Sequence, residues 1–361
     1  MTTTFHWFLP TSGDGHGVGA ATVRAGAAAH ERAATVGYLA RVAMTAERAG
    51  FTGALTPVGA GCPDPWLLCA AVAQYARKIN FLVAVRAGFT LPTLVAQQAQ
   101  TFQAIAGNRL ALNVVTGGDP AEQRAYGDFL DHDERYARTA EYLDVLRSAM
   151  QGPFDFAGDH YRVAAGGLHD PLDPAPPVYF GGASPAAEAV AARTADVYLM
   201  WGEPVAAIAE RVDRMRARAA GHGRTLRFGL RVHVIVRADA DAAWEHAARL
   251  LAGMEPARIA AAQERFARMD SVGQARMTAL HDKTDGLEIA PNLWAGIGLV
   301  REGAGTALVG GPDEVAERIG EYAAAGVDEF ILSGWPHVEE AERVGRLVLP
   351  RVRTPQPIGS V

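Results

Sequence analysis

Short apolar segments alternate with longer amphipathic segments along most of the chain, and this alternation restricts the fold more than any other feature. The short segments are rich in β-branched and aromatic residues and predict strands; the longer ones repeat apolar residues at helical spacing. About eight strand and helix pairs follow one another, the number in a (β/α)8 TIM barrel of the α/β class. The predicted strands are 6–9, 53–57, 80–85, 110–115, 178–180, 197–200, 228–236 and 329–332.

The chain is longer than a plain barrel requires, and one region accounts for the surplus. A barrel takes about 250 residues, whereas this chain has 361. We expect a single domain, 1–361, with an insertion at about 253–311 before the last strand. Helical patterns at 256–268 and 274–281 precede the glycine-rich stretch NLWAGIGLVREGAGTALVGGP, which shows no strand signal. Long insertions in this position often act as lids.

Composition excludes several classes of protein. The formal charge is −6 and no long basic run occurs, so neither nucleic acid nor a membrane surface is an expected partner. No apolar run of about 18 residues is present, and the N-terminal segment lacks the pattern of a signal peptide. We therefore expect a cytoplasmic protein. Cys62 and Cys69 form neither a metal motif nor a disulfide framework and are expected to be thiols.

The segment RFGLRVHVIVR, 227–237, predicts a strand that places Arg231 and His233 on the same face. If that face points outward, both side chains are simply solvated. If it points into a closed barrel, the two groups are costly unless an anionic or polar ligand pairs with them. The strand pattern alone leaves both interpretations open.

Polar and aromatic residues follow strand after strand at the predicted carboxyl ends. In a barrel of this kind the chemistry takes place at that rim, so these residues are candidates for an active site. They include Ser12, Cys62, Arg86, Asn113, Thr116, Trp201, Glu203, Arg231, His233, Ser333, Trp335 and His337.

The turn Gly181–Ser184 before Pro185 is a candidate phosphate site. Backbone N–H groups of Gly182 and Ala183 and the Ser184 hydroxyl lie at the positive end of a predicted helix, and Tyr136 could add a second hydroxyl. The alternative is an ordinary capped junction with Ser184 as the N-cap. No GxGxxG, Walker A or GxSxG motif occurs, and no spaced set of histidines and carboxylates predicts a metal site.

Several longer blocks resemble the alkanesulfonate monooxygenases of the bacterial luciferase-like family. They are NVVTGGDP, FLDHDERY, LRVHVIVR, NLWAGIGLVREGAGTALVG and LSGWPHVEEAERVG, and the resemblance extends over about 5–347. It implies a two-component enzyme that receives reduced FMN (FMNH2) from a separate NAD(P)H-dependent reductase. With O2 as co-substrate, such an enzyme oxygenates the carbon that bears the sulfonate of a small organosulfonate and releases sulfite and an aldehyde.

The resemblance also implies roles for individual residues. Arg231 and His233 lie beside the reacting flavin and the sulfonate, Trp201 packs in the pocket, and Arg301 arrives on the insertion to close it. Cys62 lies near the oxygen site, and His337 follows the last strand. The cofactor set includes Asn113, Thr116, Tyr136, Gly182, Ala183 and Ser184. A homodimer or homotetramer is expected on the same basis.

The sequence departs from the family pattern at two substrate positions. Ser12 stands where the family has a histidine, and Trp335 stands where it has a tyrosine. These changes alter the shape and hydrogen bonding around the substrate, and they leave a sugar sulfonate such as sulfoquinovose as an option beside simple alkanesulfonates. The other functions considered are a luciferase-like enzyme that oxidises a sulfone, amide or heterocycle, a deazaflavin-dependent oxidoreductase, and a non-catalytic flavin-binding protein.

Overall fold

The structure is a computed structural model that describes residues 3–18, 31–281 and 287–353. The strands are β1 Thr4–Phe8, β2 Gly53–Thr56, β3 Asn80–Arg86, β4 Leu110–Val115, β5 Phe154–Ala157, β6 Arg162–Gly166, β7 Val178–Gly181, β8 Val197–Trp201, β9 Arg227–Val236, β10 Glu288–Ala290, β11 Leu293–Trp294, β12 Ala307–Gly310 and β13 Glu329–Ser333. The helices are α1 Val36–Ala49, α2 Pro65–Val72, α3 Pro92–Ala106, α4 Pro120–Ala125, α5 His132–Gln151, α6 Pro185–Thr194, α7 Val205–Ala220, α8 Ala240–Ala252, α9 Pro256–Ala267, α10 Val272–Thr278, α11 Pro312–Ala324, α12 His337–Leu347 and α13 Leu349–Arg353.

Eight parallel strands close into a barrel, which confirms the predicted fold class. The ring runs β1, β2, β3, β4, β7, β8, β9, β13 and returns to β1. Each of the eight predicted strands corresponds to one strand of this ring. Strand residues that face outward pack against the helices in the main apolar core, and those that face inward form a smaller cluster around Phe8, Leu82 and Ile331.

The insertion contains strands that the sequence did not predict. Helices α9 and α10 match the predicted helical segments, but β10, β11 and β12 follow them in the stretch expected to lack strands. Strand β12 pairs in parallel with the second half of β9, from His233 to Val236. The prediction was wrong because β12 is only four residues long, and its extended form depends on pairing with a strand distant in sequence.

Strand β9 is long, and its length positions the rim residues. Its first half, Arg227–Arg231, pairs with β8, while its second half continues past the end of β8 and pairs with β12. The alternation along β9 places Arg231 and His233 on the barrel interior, and both are buried. Of the two interpretations that the strand pattern leaves open, the one in which Arg231 and His233 point into the barrel is therefore correct.

The ends of the barrel differ in chemistry. At the amino ends of the strands, Glu329 accepts hydrogen bonds from Tyr179 at 2.7 Å and lies 3.0 Å from His6 Nε2, and Arg227 completes this ion-pair network. This network is formed by side chains of the barrel itself and is structural, although the other ring nitrogen of His6, Nδ1, is buried without a partner among the described residues. Among the described residues, no helix is long and apolar enough to span a membrane.

Candidate active site

A cavity of about 320 Å³ lies at the carboxyl ends of the barrel strands. This is within the size range of sites that bind small molecules and cofactors. Its walls come from the rim of the barrel and from the insertion. The lining includes Phe8, Arg86, Asn113, Thr116, Tyr136, Gly182, Ala183, Ser184, Trp201, Arg231, Arg301 and the segments 271–274 and 302–304. We name it the main cavity.

Two buried arginines dominate the charge of the main cavity. Arg231 and Arg301 are 5% and 7% exposed, and their guanidinium carbons lie 4.8 and 5.5 Å from the centre of the Phe8 ring. Within residues 3–18, 31–281 and 287–353, neither forms an ion pair with a carboxylate. Burial, with a further contribution from Arg301, lowers the pKa of Arg231 well below its usual value, and burial also lowers that of Arg301. Two buried cations without a carboxylate in ion-pair contact are a candidate site for an anion, although the nearby Glu302 acts against the lowering of the Arg301 pKa.

A chain of hydrogen bonds fixes Arg231. Its Nη2 donates to Ser333 Oγ at 2.8 Å, and Ser333 Oγ lies 2.7 Å from His233 Nδ1. The other ring nitrogen, Nε2, lies 3.1 Å from the carbonyl of Ala304. Because that carbonyl can only accept, His233 carries its proton on Nε2 and accepts from the Ser333 hydroxyl. Burial, with Arg231 and Arg301 nearby, lowers the pKa of His233 well below its usual value, so the ring is neutral.

His233 therefore lies behind the main cavity rather than in its wall. Both ring nitrogens are used by Ser333 and Ala304, and the ring stacks on Trp335 with centroids 4.6 Å apart. The structure brings Arg231 and Arg301 together in the lining of the main cavity, whereas His233 lies outside that lining. Ser333, which was predicted to lie at the rim but was given no role, forms hydrogen bonds with both Arg231 and His233.

The residues of the predicted phosphate site also line the main cavity. Ser184 is the N-cap of α6, where its hydroxyl accepts from the N–H of Ala187 at 3.1 Å. Gly182 has φ +150°, and a Cβ atom there would lie 2.5 Å from the Ala187 Cβ and 3.1 Å from the Tyr136 hydroxyl. Only glycine leaves room at this point. The helix N-terminus, the glycine and the two hydroxyls thus meet at one place, as the sequence predicted.

The remaining predicted cofactor residues come from β4 and the turn after it. Asn113 and Thr116 line the main cavity at the end of β4 and in the turn after it. Thr116 Oγ1 lies 3.2 Å from Thr139 Oγ1, which anchors its side chain to α5. Arg86, on the neighbouring strand, donates to Glu122 at 2.8 Å and has two further buried N–H groups without a partner. The lining therefore offers donors and hydroxyls along its whole length.

Ser12, Trp335 and His337 line a second, much smaller space. This small cavity has a volume of about 10 Å³ and is separated from the main cavity by Arg231 and Arg301, which line both. Trp335 is 4% exposed. Its indole is covered by His233, and Trp201 is the rim indole that lines the main cavity. None of the three lines the main cavity, so the structure does not bring the predicted substrate residues Ser12 and Trp335, or the predicted catalytic residue His337, to it.

Cys62 lies at the edge of the site. It is half-buried and lines a third cavity, of about 330 Å³, that shares Val58, Gly59 and Arg86 with the main cavity. Burial raises the pKa of its thiol, although Thr11 and Ser12 act against that shift. A protonated thiol is a poor nucleophile.

The insertion already covers the main cavity, and several contacts hold it there. Arg276 on α10 and Arg211 on α7 both pair with Glu203, which follows β8. Gln274 accepts a hydrogen bond from the N–H of Gly303 at 2.9 Å. Trp201 packs against the insertion near Gly273 and Gly303. Arg301, on the insertion, therefore lies in the lining of the main cavity.

The burial of His337 predicts a dependence of stability on pH. Burial lowers the pKa of His337 to about 4. An unfolded imidazole titrates near about 6.5, so between these values the unfolded chain binds a proton that the folded protein does not. The free energy of unfolding therefore falls as pH decreases through this window. His337→Gln is expected to weaken this dependence in urea titrations, and the exposed His169→Gln to leave it unchanged. Equal pH dependence in all three proteins contradicts this assignment.

Comparisons with known proteins agree with the closed-barrel fold. The chain belongs to the luciferase-like monooxygenase family, whose model matches residues 3–329. Flavin-dependent monooxygenase chemistry is thus the chemistry of its family.

Solved structures with the same fold cover nearly the whole chain. A riboflavin lyase solved with modified FMN and riboflavin has a TM-score of 0.79 and 18% identity, covering 98% of this chain and 92% of that one. The EDTA monooxygenase from Chelativorans sp. BNC1 has a TM-score of 0.78 and 21% identity, covering 98% and 94%. A long-chain alkane monooxygenase has a TM-score of 0.78 and 20% identity, covering 98% and 91%. At these identities the likeness concerns the fold alone.

Proposed function

We propose that this chain is the oxygenase component of a two-component, FMN-dependent organosulfonate monooxygenase. In this proposal a separate NAD(P)H-dependent reductase supplies FMNH2, and the chain uses it with O2 to convert an organosulfonate to sulfite and an aldehyde. The observation that carries the proposal is the pair of buried arginines, Arg231 and Arg301, without a carboxylate partner among the described residues. A sulfonate or the sulfite derived from it supplies the missing negative charge.

The residues present fit FMN. The glycine turn at Gly182, the N-terminus of α6 and the hydroxyls of Tyr136 and Ser184 would hold the phosphate. Asn113 and Thr116 would lie along the ring system, between the phosphate site and the arginines. A related barrel was solved with modified FMN, and two others depend on the deazaflavin coenzyme F420. Bound reduced FMN supplies the electrons that activate O2.

The side chains of this protein then have three tasks. Arg231 and Arg301 bind the sulfonate oxygens and stabilise the negative charge of the departing sulfite. The Ser333 and His233 chain keeps Arg231 oriented, and neutral His233 adds no further positive charge. Trp201 and the insertion exclude water, which protects the oxygenating chemistry from side reactions.

Phosphate recognition is tested by removing one hydroxyl. Tyr136→Phe is expected to weaken FMN binding roughly tenfold or more, because a hydrogen bond to a charged group contributes about 1.5–3 kcal/mol. Riboflavin binding should change little, since riboflavin lacks the phosphate. Tyr142→Phe on the same helix is the matched control, because Tyr142 is buried and does not line the main cavity. Fluorescence titrations give the dissociation constants of FMN and of riboflavin for the unchanged protein and for both variants. An equal loss of affinity for FMN and riboflavin in Tyr136→Phe would contradict the phosphate assignment.

The substrate class is tested by sulfite release. The assay contains an FMN reductase, NADH, FMN and O2, with sulfoquinovose, a short-chain and a medium-chain alkanesulfonate offered separately. Sulfite from any of them supports desulfonation, and the preferred substrate identifies the class. If none yields sulfite while reduced FMN still binds, the enzyme acts on another substrate, such as a sulfone, amide or heterocycle.

We also propose that the chain forms a homo-oligomer. Large apolar side chains are exposed around α2 and α3, including Leu67, Leu91 and Leu94, which are 76%, 63% and 46% exposed. Apolar side chains grouped on one surface favour association. Light scattering of the purified protein gives its mass directly.

A further inference from the structure

Four buried polar atoms without a protein partner belong to residues that line the small cavity. They are Thr11 Oγ1, Arg301 Nε, Trp335 Nε1 and His337 Nδ1. Each of the four residues is more than nine-tenths buried. Buried polar groups in folded proteins are nearly always hydrogen-bonded. Four such atoms around one small space therefore indicate that a polar ligand belongs there.

The chemistry of the four atoms defines that ligand. Arg301 Nε and Trp335 Nε1 can only donate a hydrogen bond. Burial lowers the pKa of His337 to about 4, so the ring is neutral, and with its proton on Nε2 its unpartnered Nδ1 can only accept. The Thr11 hydroxyl can accept as well. The set thus offers two donors and two acceptors, which is the complement of one water molecule.

The size of the space supports the same ligand. A cavity needs about 10–15 Å³ to hold one water, and the water needs two to four polar partners. The small cavity has about 10 Å³ and provides four. An oxyanion is too large for this volume and would meet the lone pair of His337.

We propose that the small cavity is a built site for one water molecule, held by Thr11, Arg301, Trp335 and His337. The water connects Trp335 and His337, which do not line the main cavity, to Arg301, which does. It holds the Nε edge of the guanidinium, while Nη1 donates to the carbonyls of Glu302 at 3.2 Å and Ala304 at 3.5 Å. Trp335 and His337 are thereby positioning residues for Arg301.

The water site is tested without reference to activity. A crystal structure of the full chain at about 1.5 Å should show one density peak within hydrogen-bond distance of the four atoms, about 2.7–3.2 Å. In solution, the Trp335 indole N–H should show a nuclear Overhauser effect to a long-lived water. Trp7 is the internal control, because its indole N–H is also buried and unpartnered but does not line the small cavity. Absence of the peak, or identical behaviour of the two indoles, overturns the proposal.

The role of the water in positioning Arg301 is tested by removing the Thr11 hydroxyl, one of its hydrogen-bond partners. Thr11→Val keeps the shape of the side chain and removes one partner of the water. We expect faster exchange of the Trp335 indole proton and weaker binding of inorganic sulfate, each by roughly tenfold, as for loss of one hydrogen bond. Thr45→Val, a buried control on α1, should change neither. Unchanged exchange overturns the water assignment. If exchange of the Trp335 indole proton changes but sulfate affinity does not, Trp335 and His337 do not position Arg301. The sulfate titration is the only measurement here that rests on the proposed anion site.

Discussion

Replacing Arg301 with alanine is expected to reduce turnover by at least roughly a hundredfold, the usual loss when one donor to a developing anion is removed. Arg301 is buried in the wall of the main cavity, beside Phe8. Because the phosphate site is built from other residues, the dissociation constant of reduced FMN should change by only a few-fold. Steady-state kinetics and anaerobic flavin titration measure the two effects separately.

The matched control for Arg301 is Arg268. It lies in the same insertion but is exposed and pairs with Glu264 one helical turn away. Exposed pairs of this kind contribute little to stability, so Arg268→Ala should leave both turnover and flavin binding unchanged. Unchanged turnover in Arg301→Ala would contradict the role of Arg301 in the site.

Replacing Arg231 with methionine is expected to abolish most activity without lowering the melting temperature. The guanidinium is buried next to a second cation, and this is why the pKa of Arg231 is lowered. A base whose pKa falls on folding destabilises the folded protein while it is charged, so its removal relieves that cost. Turnover should nevertheless fall by at least roughly a hundredfold, because the sulfonate loses one of its two cations.

Arg237, six residues further along the chain, provides the contrast. It is half-buried, and burial lowers its pKa too, but unlike Arg231 it pairs with a carboxylate, Glu340, at 3.1 Å. Burial raises the pKa of that carboxyl, whose other partner is Arg343. Arg237→Met removes a partner from a buried carboxylate and is expected to lower the melting temperature while affecting turnover less. Thermal denaturation gives the melting temperature of both variants, and steady-state kinetics gives their turnover. A large loss of stability in Arg231→Met would show that Arg231 is a structural residue.

The barrel could be predicted from sequence because its strands carry local signals. Each of the eight ring strands is a short apolar run bounded by turn residues, and the count of strand and helix pairs identifies the architecture. Strand β12 has no comparable signal, since four residues between glycines become a strand only beside β9. The hairpin of β5 and β6 was missed for the same reason: it is short and half-exposed.

The sequence predicts which residues lie at the carboxyl-end rim of the barrel, but not the contacts that their side chains make there. Alternation along β9 places Arg231 and His233 on one face, but it does not show that Ser333 and Ala304 occupy both nitrogens of His233. Nor does the sequence show that Trp335 stacks on that ring and closes the small cavity. These outcomes depend on contacts between residues about 70 to 100 positions apart, which local patterns do not contain.

The most direct test of the proposed site is a crystal structure of the protein with FMN and an organosulfonate. We expect the FMN phosphate at Gly182, Ser184 and Tyr136, and the sulfonate oxygens within hydrogen-bond distance of the Arg231 and Arg301 guanidiniums. That result would establish the anion site that carries the proposed function. A sulfonate bound away from both arginines, or a flavin phosphate in contact with them, would contradict it.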